Sequence, residues 1–222
     1  MGQPTSPKRR KTRPPARIPA ATVRRLSLYL RMASQLAETG RATVSSRQLA
    51  DALGLTAAQV RKDLAHFGQL GRPGVGYQVT DLVAQLRRLL GTDRVRQVAL
   101  VGVGSLGRAL LGHKGFRKKG FRISAAFDGD PRLIGRRFGE VTVRAMGDMP
   151  ETVRRDKLGL AILAVPAESA QDVADQLCRA GIHGILNFAP VQLNLPDGVA
   201  IVPVDLAVQL EQLGYFADRR ER

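Results

Sequence analysis

Apolar residues recur three or four positions apart in the first part of the chain, which is the spacing of an amphipathic helix. The first such run begins after Thr22 and stops at Gly40, and a glycine there is typical of a helix C-terminus. The predicted inward positions are Val23, Leu26, Leu30, Ala33 and Ala37. This pattern predicts one helix that buries a single face.

Two shorter helices and a glycine-rich segment follow it. Ser45 and Ser46 provide an N-cap for the segment SRQLADALG, and Thr56 caps TAAQVRKDLAHFG. The inward residues of this third helix are Val60, Leu64 and Phe67. The segment GQLGRPGVGYQV then predicts a tight hairpin with a strand on its far side, and Thr80 caps a linker helix that ends at Gly91. Three helices and a hairpin in this order outline a winged helix-turn-helix.

Beyond residue 92 the pattern changes to apolar strands that alternate with helices. The predicted strands are 95–102, 121–128, EVTVRA, 158–165, GILNF and AIVPV, and the predicted helices are 105–112 and PAESAQDVADQLCRAG. Strands that are apolar throughout, separated by helices, indicate a parallel sheet covered on both faces. We therefore predict an α/β protein with four parts: a disordered basic arm (1–18), a winged helix with its linker helix (19–91), a Rossmann-like parallel-sheet domain (92–204) and a C-terminal helix (205–222) that is exchanged within a dimer.

The C-terminal helix, DLAVQLEQLGYFADR, is singled out because it lies beyond the last predicted strand. Its apolar residues Leu206, Leu210, Leu213 and Ala217 fall on one face. Such a face needs a partner, which is either a second subunit or the sheet of its own chain. The sequence leaves both possibilities open.

The charge of the chain is uneven and points to a polyanion. The net charge is +16; residues 1–92 contain 16 Lys and Arg against 4 Asp and Glu, whereas residues 93–222 contain 19 against 15. This asymmetry predicts that the N-terminal part meets nucleic acid or an acidic membrane surface. The basic arm either adds phosphate contacts or is a dispensable extension.

Other features exclude several classes of protein. No apolar run is long enough to span a bilayer, and no signal peptide precedes the first helix, so we expect a cytoplasmic protein without a membrane partner. The single cysteine, Cys178, excludes an internal disulfide and a cysteine-based metal cluster, and we predict no metal.

A dinucleotide-binding motif opens the predicted parallel sheet. GVGSLG at 102–107 follows a strand and begins a helix, and Asp128 ends the next strand. Gly102 permits the tight turn, Gly104 lets the backbone approach a pyrophosphate, and Gly107 lets helix and strand pack closely. Asp128 would accept hydrogen bonds from the ribose hydroxyls and repel a 2′-phosphate, which favours NAD(H) over NADP(H). The predicted cofactor-binding residues are Gly102, Val103, Gly104, Ser105, Leu106, Gly107, Asp128, His113 and Pro166.

The third helix carries the candidate DNA-reading residues. Gln59, Arg61 and Lys62 lie off its inward stripe and can reach bases or phosphates, while Arg72 and Tyr77 in the hairpin are candidates for backbone or minor-groove contacts. The predicted DNA-binding residues are Ser46, Arg47, Gln59, Arg61, Lys62, Arg72 and Tyr77. The alternative is a solvated basic face.

No catalytic constellation is evident, because the three histidines are far apart and little chain remains for a substrate domain. The predicted protein is therefore not an enzyme. Two other hypotheses stay open: a small NAD-dependent oxidoreductase with a basic appendage, and a DNA-binding protein that uses its Rossmann unit only to dimerise.

The chain resembles the Rex family of redox-sensing transcriptional repressors from about Ile18 to Phe216. The segments that carry the resemblance are VSSRQLADALGLTAAQVRKDLAHFGQLGRPGVGY, VALVGVGSLGRALL, GFRISAAFDGDP, LAVPAESAQDVADQL and GIHGILNFAPVQL. The resemblance implies a homodimer that binds an inverted-repeat operator in double-stranded DNA, represses genes of fermentative or respiratory metabolism, and releases DNA when NADH rises relative to NAD⁺.

The resemblance also implies roles for single residues. Arg25 and Asp205 match a pair that couples the two domains in the DNA-competent form. Two positions depart from the family pattern: Ser105 replaces the usual Asn of the loop, and His113 replaces a Tyr of the interdomain network. The second replacement leaves the third member of that network open and would make the network sensitive to pH.

Overall fold

The computed structural model describes residues 18–68, 70–72 and 74–218, so nearly all of the predicted basic arm lies outside the described residues. The chain divides into two compact units, an N-terminal unit up to Asp93 and a C-terminal unit from Arg94 onward. Each has its own buried core.

The N-terminal unit contains four helices and a two-stranded sheet. In chain order they are α1 (Ala20–Glu38), β1 (Thr43–Val44), α2 (Ser46–Leu53), α3 (Ala57–Ala65), β2 (Tyr77–Gln78) and α4 (Val79–Leu90). Ser45 caps α2 in a capping box with Gln48, and Thr56 caps α3, both as predicted. Strand β1, which is too short to leave a periodic signal, pairs antiparallel with β2.

Two details of this unit differ from the sequence prediction. The buried face of α1 consists of Thr22, Leu26, Tyr29 and Ala33, whereas the predicted inward residue Val23 is 39% exposed. Polar atoms in the core cause this rotation, because the Tyr29 hydroxyl donates to Asp63 and Thr22 accepts from Arg25. The predicted cap Thr80 is also wrong: α4 begins at Val79, whose N–H donates to the Ala42 carbonyl at 2.9 Å.

The C-terminal unit is a seven-stranded sheet with helices on both faces. Its elements are β3 (Arg96–Val101), α5 (Ser105–Gly112), α6 (Gly115–Lys118), β4 (Phe121–Asp128), β5 (Arg137–Phe138), β6 (Val141–Ala145), α7 (Met149–Arg155), β7 (Leu160–Leu163), α8 (Ala167–Ala180), β8 (Gly184–Asn187), β9 (Ala200–Pro203) and α9 (Leu206–Asp218). Helix α5 and strand β4 have the predicted bounds; α6, α7 and β5 are additions that the sequence analysis did not foresee.

The strand order is β5-β6-β4-β3-β7-β8-β9, and every pair is parallel except β5 with β6. Strands β4 and β6 follow one another on one side of the central strand β3. The chain then returns to the centre of the sheet, and β7, β8 and β9 follow one another on the other side. The order therefore reverses between β3 and β7. In open α/β sheets a ligand binds at this reversal, outside the carboxyl ends of the strands.

Candidate functional sites

A cleft of about 670 Å³ lies at the reversal point of the sheet. It is lined by Val101, Gly102, Gly104, Ser105, Leu106, Asp128, Gly129, Asp130, Leu133, Met146, Ala164, Val165, Pro166, Ser169 and Val173. These residues come from the carboxyl ends of β3, β4, β6 and β7 and from the first turns of α5 and α8. Its volume is in the range of cofactor pockets.

The three motif glycines differ in what a side chain at each position would meet. Gly102 has φ +93°, and a Cβ there would lie 2.3 Å from the carbonyl oxygen of Ala164. A Cβ on Gly107 would lie 2.0 Å from the carbonyl oxygen of Gly102. A Cβ on Gly104 would meet nothing within 4 Å. The fold therefore requires glycine at 102 and 107, whereas at 104 it leaves open space facing the cleft.

Asp128 holds the glycine-rich loop in place. One carboxylate oxygen accepts from the Val103 N–H at 2.6 Å, and the other accepts from the Asp130 N–H at 2.8 Å. Asp128 thus ties the β3–α5 loop to the end of β4, a role that the motif alone did not indicate. Asp130, which also lines the cleft, pairs with Arg132, and this contact lowers the pKa of the Asp130 carboxyl.

Most predicted cofactor residues meet at this cleft, but three do not line it. Val103 is fully buried and contributes its N–H to Asp128, and Gly107 lies behind the loop. His113 is exposed at the end of α5, where its ring meets the edge of Phe116 with the centroids 4.9 Å apart. The structure therefore does not bring His113 to the cleft.

A groove of about 540 Å³ separates α3 from the glycine-rich turn in the N-terminal unit. Ser46, Arg61 and Arg72 contribute its polar lining, and an Arg61 amino group donates to the Ser46 hydroxyl at 3.1 Å. Arg47 and Lys62 are exposed on α2 and α3. Five predicted DNA-binding residues therefore present polar or cationic groups at the surface of this unit.

The other two predicted DNA-binding residues, Gln59 and Tyr77, make contacts within the unit, and Tyr77 also lines the groove. Tyr77 is only 7% exposed, and its ring packs against Gly71, where a Cβ would lie 2.8 Å from it. Burial raises the pKa of the Tyr77 hydroxyl. The Gln59 amide donates to Asp63 at 2.8 Å, which holds this side chain against α3.

A buried carboxylate, Asp63, organises the N-terminal unit, and the sequence analysis missed it. It accepts two hydrogen bonds from Arg25 at 2.6 and 2.8 Å, one from Tyr29 at 2.8 Å and one from Gln59. Burial by itself would raise the Asp63 pKa, but the bonds from Arg25, Tyr29 and Gln59 outweigh it, so the pKa is lowered. Position 63 lies beside Val60 and Leu64 on the inward face, and this spacing could have revealed it.

The two residues of the predicted interdomain pair have local partners. Arg25 binds Asp63 within its own unit, as described above. Asp205 caps α9, because its carboxylate accepts from the N–H groups of Ala207 at 2.9 Å and Val208 at 3.2 Å.

Helix α9 has no buried residue. Leu206, Leu210, Leu213 and Phe216 are between 63% and 68% exposed. The alternative that this helix folds back onto its own sheet is therefore not realised.

Two family models match the chain, one for each unit. "Putative DNA-binding protein N-terminus" matches residues 17–65, and "CoA binding domain" matches residues 93–191. The redox-sensing transcriptional repressor Rex of Carboxydothermus hydrogenoformans is 46% identical over 90% of this chain and 96% of its own length. The chain belongs to the Rex family. The Rex protein of Streptomyces coelicolor is 42% identical over 91% of this chain and 79% of its own length.

Solved Rex-family structures agree with this assignment. A structure of RSP in complex with β-NAD⁺ and operator DNA has a TM-score of 0.87 and 36% identity, and covers 93% of this chain and 95% of its own. A structure of RSP in complex with β-NADH has a TM-score of 0.83 and 35% identity, and covers 92% of this chain and 96% of its own.

Neither a membrane-spanning helix nor a metal-ion site occurs among the described residues. None of the helices in residues 18–68, 70–72 and 74–218 is long and apolar enough to cross a membrane. The same residues contain no group of three or more His, Cys, Asp or Glu side chains placed to hold a metal ion.

Proposed function

We propose that this Rex-family chain is a redox-sensing repressor that binds operator DNA through its N-terminal unit and releases it when NADH rises relative to NAD⁺. The observation that carries the proposal is the cleft at the sheet reversal, with a glycine loop tied to Asp128, in the same chain as a capped basic helix. The RSP structures support it, since one is a complex with NAD⁺ and operator DNA and another a complex with NADH.

DNA reading is assigned to α3 and its surroundings. Arg61 and Lys62 are the candidates for base or phosphate contacts, Ser46 and Arg47 for contacts from the preceding helix, and Arg72 for contacts from the turn. A two-fold dimer would place two such helices in successive major grooves, roughly 34 Å apart, and so read an inverted repeat. The exposed apolar face of α9 supports a homodimer that exchanges this helix.

Redox sensing follows from the charge of the nicotinamide ring. The ring of NAD⁺ is a cation, whereas the ring of NADH is neutral and more apolar, so a dry pocket favours NADH. If NADH binds more tightly to the form that does not hold operator, it shifts the population away from DNA. We place the pyrophosphate over Gly104 and the adenosine ribose at Asp128.

Two other functions are disfavoured. A dehydrogenase is disfavoured because the curated relatives of this chain are described as redox-sensing transcriptional repressors. A Rossmann unit used only for dimerisation would not need the open space at Gly104 beside the cleft. A protein that acts on operators works where the DNA is, so we propose a cytoplasmic location.

A gel-shift titration on an inverted-repeat operator tests the proposal. NADH is expected to release the DNA, NAD⁺ to leave it bound, and NADPH to have little effect. An operator complex that ignores all three dinucleotides would leave DNA binding intact but overturn redox sensing.

Arg61→Ala is expected to remove specific operator binding and leave NADH binding unchanged. A bidentate base contact accounts for about 1–3 kcal/mol of discrimination between bases. Arg88→Ala, which removes an exposed cation from the last turn of α4, is the matched control. Operator affinity should be measured against an unrelated duplex. Equal losses of specificity in the two variants would show that Arg61 does not read the operator sequence.

Asp128→Ala is expected to weaken NADH binding and to reduce discrimination against NADPH, because a ribose acceptor and a repelling charge are both lost. Asp128→Asn keeps an oxygen for the Val103 N–H at the loop but removes the charge. The asparagine variant should therefore gain NADPH binding with a smaller loss of NADH affinity, as measured by calorimetric titration. A wild-type protein that binds NADPH as well as NADH would contradict the assignment of Asp128.

Arg25→Ala and Asp205→Ala are each expected to weaken operator binding in the absence of NADH, and the double variant to lose less than the sum. Such non-additivity would show that the two residues are coupled in the DNA-competent form. Since Arg25 also binds Asp63, a parallel cycle with Asp63→Ala separates the local contribution from this coupling. Additive losses for Arg25 and Asp205 would rule the coupling out.

A further inference from the structure

The net positive charge of the C-terminal unit comes from one stretch of its sequence. Residues 94–127 contain eight Lys and Arg and no Asp or Glu, whereas the rest of the unit contains 11 Lys and Arg against 14 Asp and Glu. A surface that merely keeps a protein soluble mixes both signs. This segregation therefore calls for a separate explanation.

The fold gathers most of these cations at one edge of the sheet. Strands β3 and β4 are parallel and pair Arg96 with Phe121 and Gln97 with Arg122, so their amino ends are adjacent. Helix α6 directly precedes β4, which brings its cations to the same edge. Six exposed cations make up what we call the basic edge: Arg94, Lys114, Arg117, Lys118, Lys119 and Arg122. The dinucleotide cleft lies at the opposite, carboxyl ends of the strands.

One contact shows that the basic edge can bind an anionic oxygen. Arg117 and Arg122 both donate to the same oxygen of Glu140, the latter at 2.8 Å, and this pairing lowers the pKa of the Glu140 carboxyl. Guanidinium groups bind phosphate oxygens through the same kind of charge-assisted hydrogen bond. All three side chains are more than half exposed, so the carboxylate is exchangeable with a ligand from solvent. Even with Glu140 and the neighbouring Asp93 counted, the six cations leave an excess of four positive charges.

We propose that the basic edge is a second DNA-contacting surface, which binds the sugar–phosphate backbone without reading sequence. This inference rests on the proposed function as a DNA-binding repressor. Arg117 and Arg122 line one cavity of about 390 Å³, and the other four cations do not belong to its lining. The six cations are thus spread over three segments, which suits a row of phosphates better than a single anion. An anionic membrane is less well matched, because a helix that lies in the interface needs an apolar face to bury there, and the one helix within the basic edge, α6, has only four residues.

The test uses the full-length protein and replaces three lysines of the basic edge together: Lys114→Gln, Lys118→Gln and Lys119→Gln. No hydrogen bond or ion pair of these three side chains occurs within the described part of the chain, so the fold should be retained, which thermal unfolding checks. The matched control replaces the same three lysines by arginine and keeps the charge. Fluorescence anisotropy is measured on a minimal operator, on an operator with long flanks and on an unrelated long duplex, between about 50 and 200 mM salt.

Each phosphate contact contributes about 0.9 to the slope of log affinity against log salt. The glutamine variant should therefore lose about 1–3 units of slope on both long duplexes. Its affinity for both should fall at least about tenfold, with the ratio of operator to unrelated DNA unchanged. Binding to the minimal operator should change little, and the arginine variant should match the wild type.

Two results would overturn the basic edge as a DNA surface. One is an unchanged slope on the long duplexes. The other is lysine-dependent binding to vesicles of anionic phospholipid without any change in DNA binding, which would assign the surface to a membrane. Failure of the wild type to bind any duplex is a different result, because it would refute the proposed function itself.

Discussion

Asp63→Ala is expected to destabilise the N-terminal unit by about 3–5 kcal/mol, the cost of removing one partner from a buried ion pair. The Asp63 side chain is 2% exposed, and its loss leaves the Arg25 guanidinium and the Tyr29 hydroxyl without their acceptor. These groups lie between α1 and α3, so α3, which carries the proposed DNA-reading residues, would lose its main polar contact with α1. Operator binding should fall with stability, while NADH binding in the C-terminal unit persists.

Hydrogen exchange measured separately for peptides of each unit is the appropriate readout, because it reports local stability. Asp81→Ala is the matched control, since this exposed aspartate in the first turn of α4 should contribute only about 0.3–1 kcal/mol. The loss of stability in Asp63→Asn should lie between those of Asp63→Ala and Asp81→Ala, because asparagine keeps an acceptor oxygen but loses the charge. Equal protection of α1 and α3 in Asp63→Ala and the wild type would show that the network does not hold this unit together.

The pH dependence of the same network has a definite sign. The folded-state pKa of Asp63 is lowered, so its contribution to stability is fully present above the ordinary carboxyl pKa of about 3.9. That contribution is lost as the pH falls through the lowered pKa. The stability difference between the wild type and Asp63→Asn should therefore be constant near neutral pH and shrink below about pH 4.

The parts of this fold that were predictable are those in which hydrophobic pattern and local chemistry agree. The positions of Gly102 and Asp128 were predictable because Gly102 follows the buried strand β3 and Asp128 ends the next strand, β4. Helix α5 also has its predicted bounds. Capping residues also marked α2 and α3 correctly. Strand β1 has two residues and helix α7 has seven, so both are too short to show a hydrophobic period. They form because of their contacts with the rest of the fold.

Polar groups in the core were the main obstacle to prediction. Tyr29 and Asp63 are buried because they satisfy each other, so neither is recognisable as a core residue in isolation. The ring of Tyr77, a predicted DNA contact, supports the turn that carries Arg72 and also lines the groove beside α3. His113, a predicted cofactor contact, lies at the end of α5, whereas the start of that helix forms the cleft. Both roles stay predictions, and only long-range contacts show where these two side chains lie.

Alanine substitutions at two glycines of the loop should separate cofactor binding from folding. Gly107→Ala places a methyl group 2.0 Å from the Gly102 carbonyl oxygen, where only backbone can yield, so the C-terminal unit should lose about 1–3 kcal/mol or more. Gly104→Ala meets nothing within 4 Å, but alanine is a poorer N-cap than glycine at this start of α5, so stability without ligand should fall by no more than about 1 kcal/mol. Its methyl group would nevertheless occupy the space proposed for the pyrophosphate.

Gly104→Ala should therefore lose NADH affinity by at least about tenfold, equivalent to 1.4 kcal/mol, and keep operator affinity. In the gel-shift titration it should remain on operator DNA at NADH concentrations that release the wild type, which makes it a repressor that no longer responds. Gly107→Ala serves as the comparison, since its loss of NADH binding should be accompanied by a lower melting temperature. A stable Gly104→Ala protein that binds NADH and releases operator like the wild type would show that the dinucleotide does not lie over this loop.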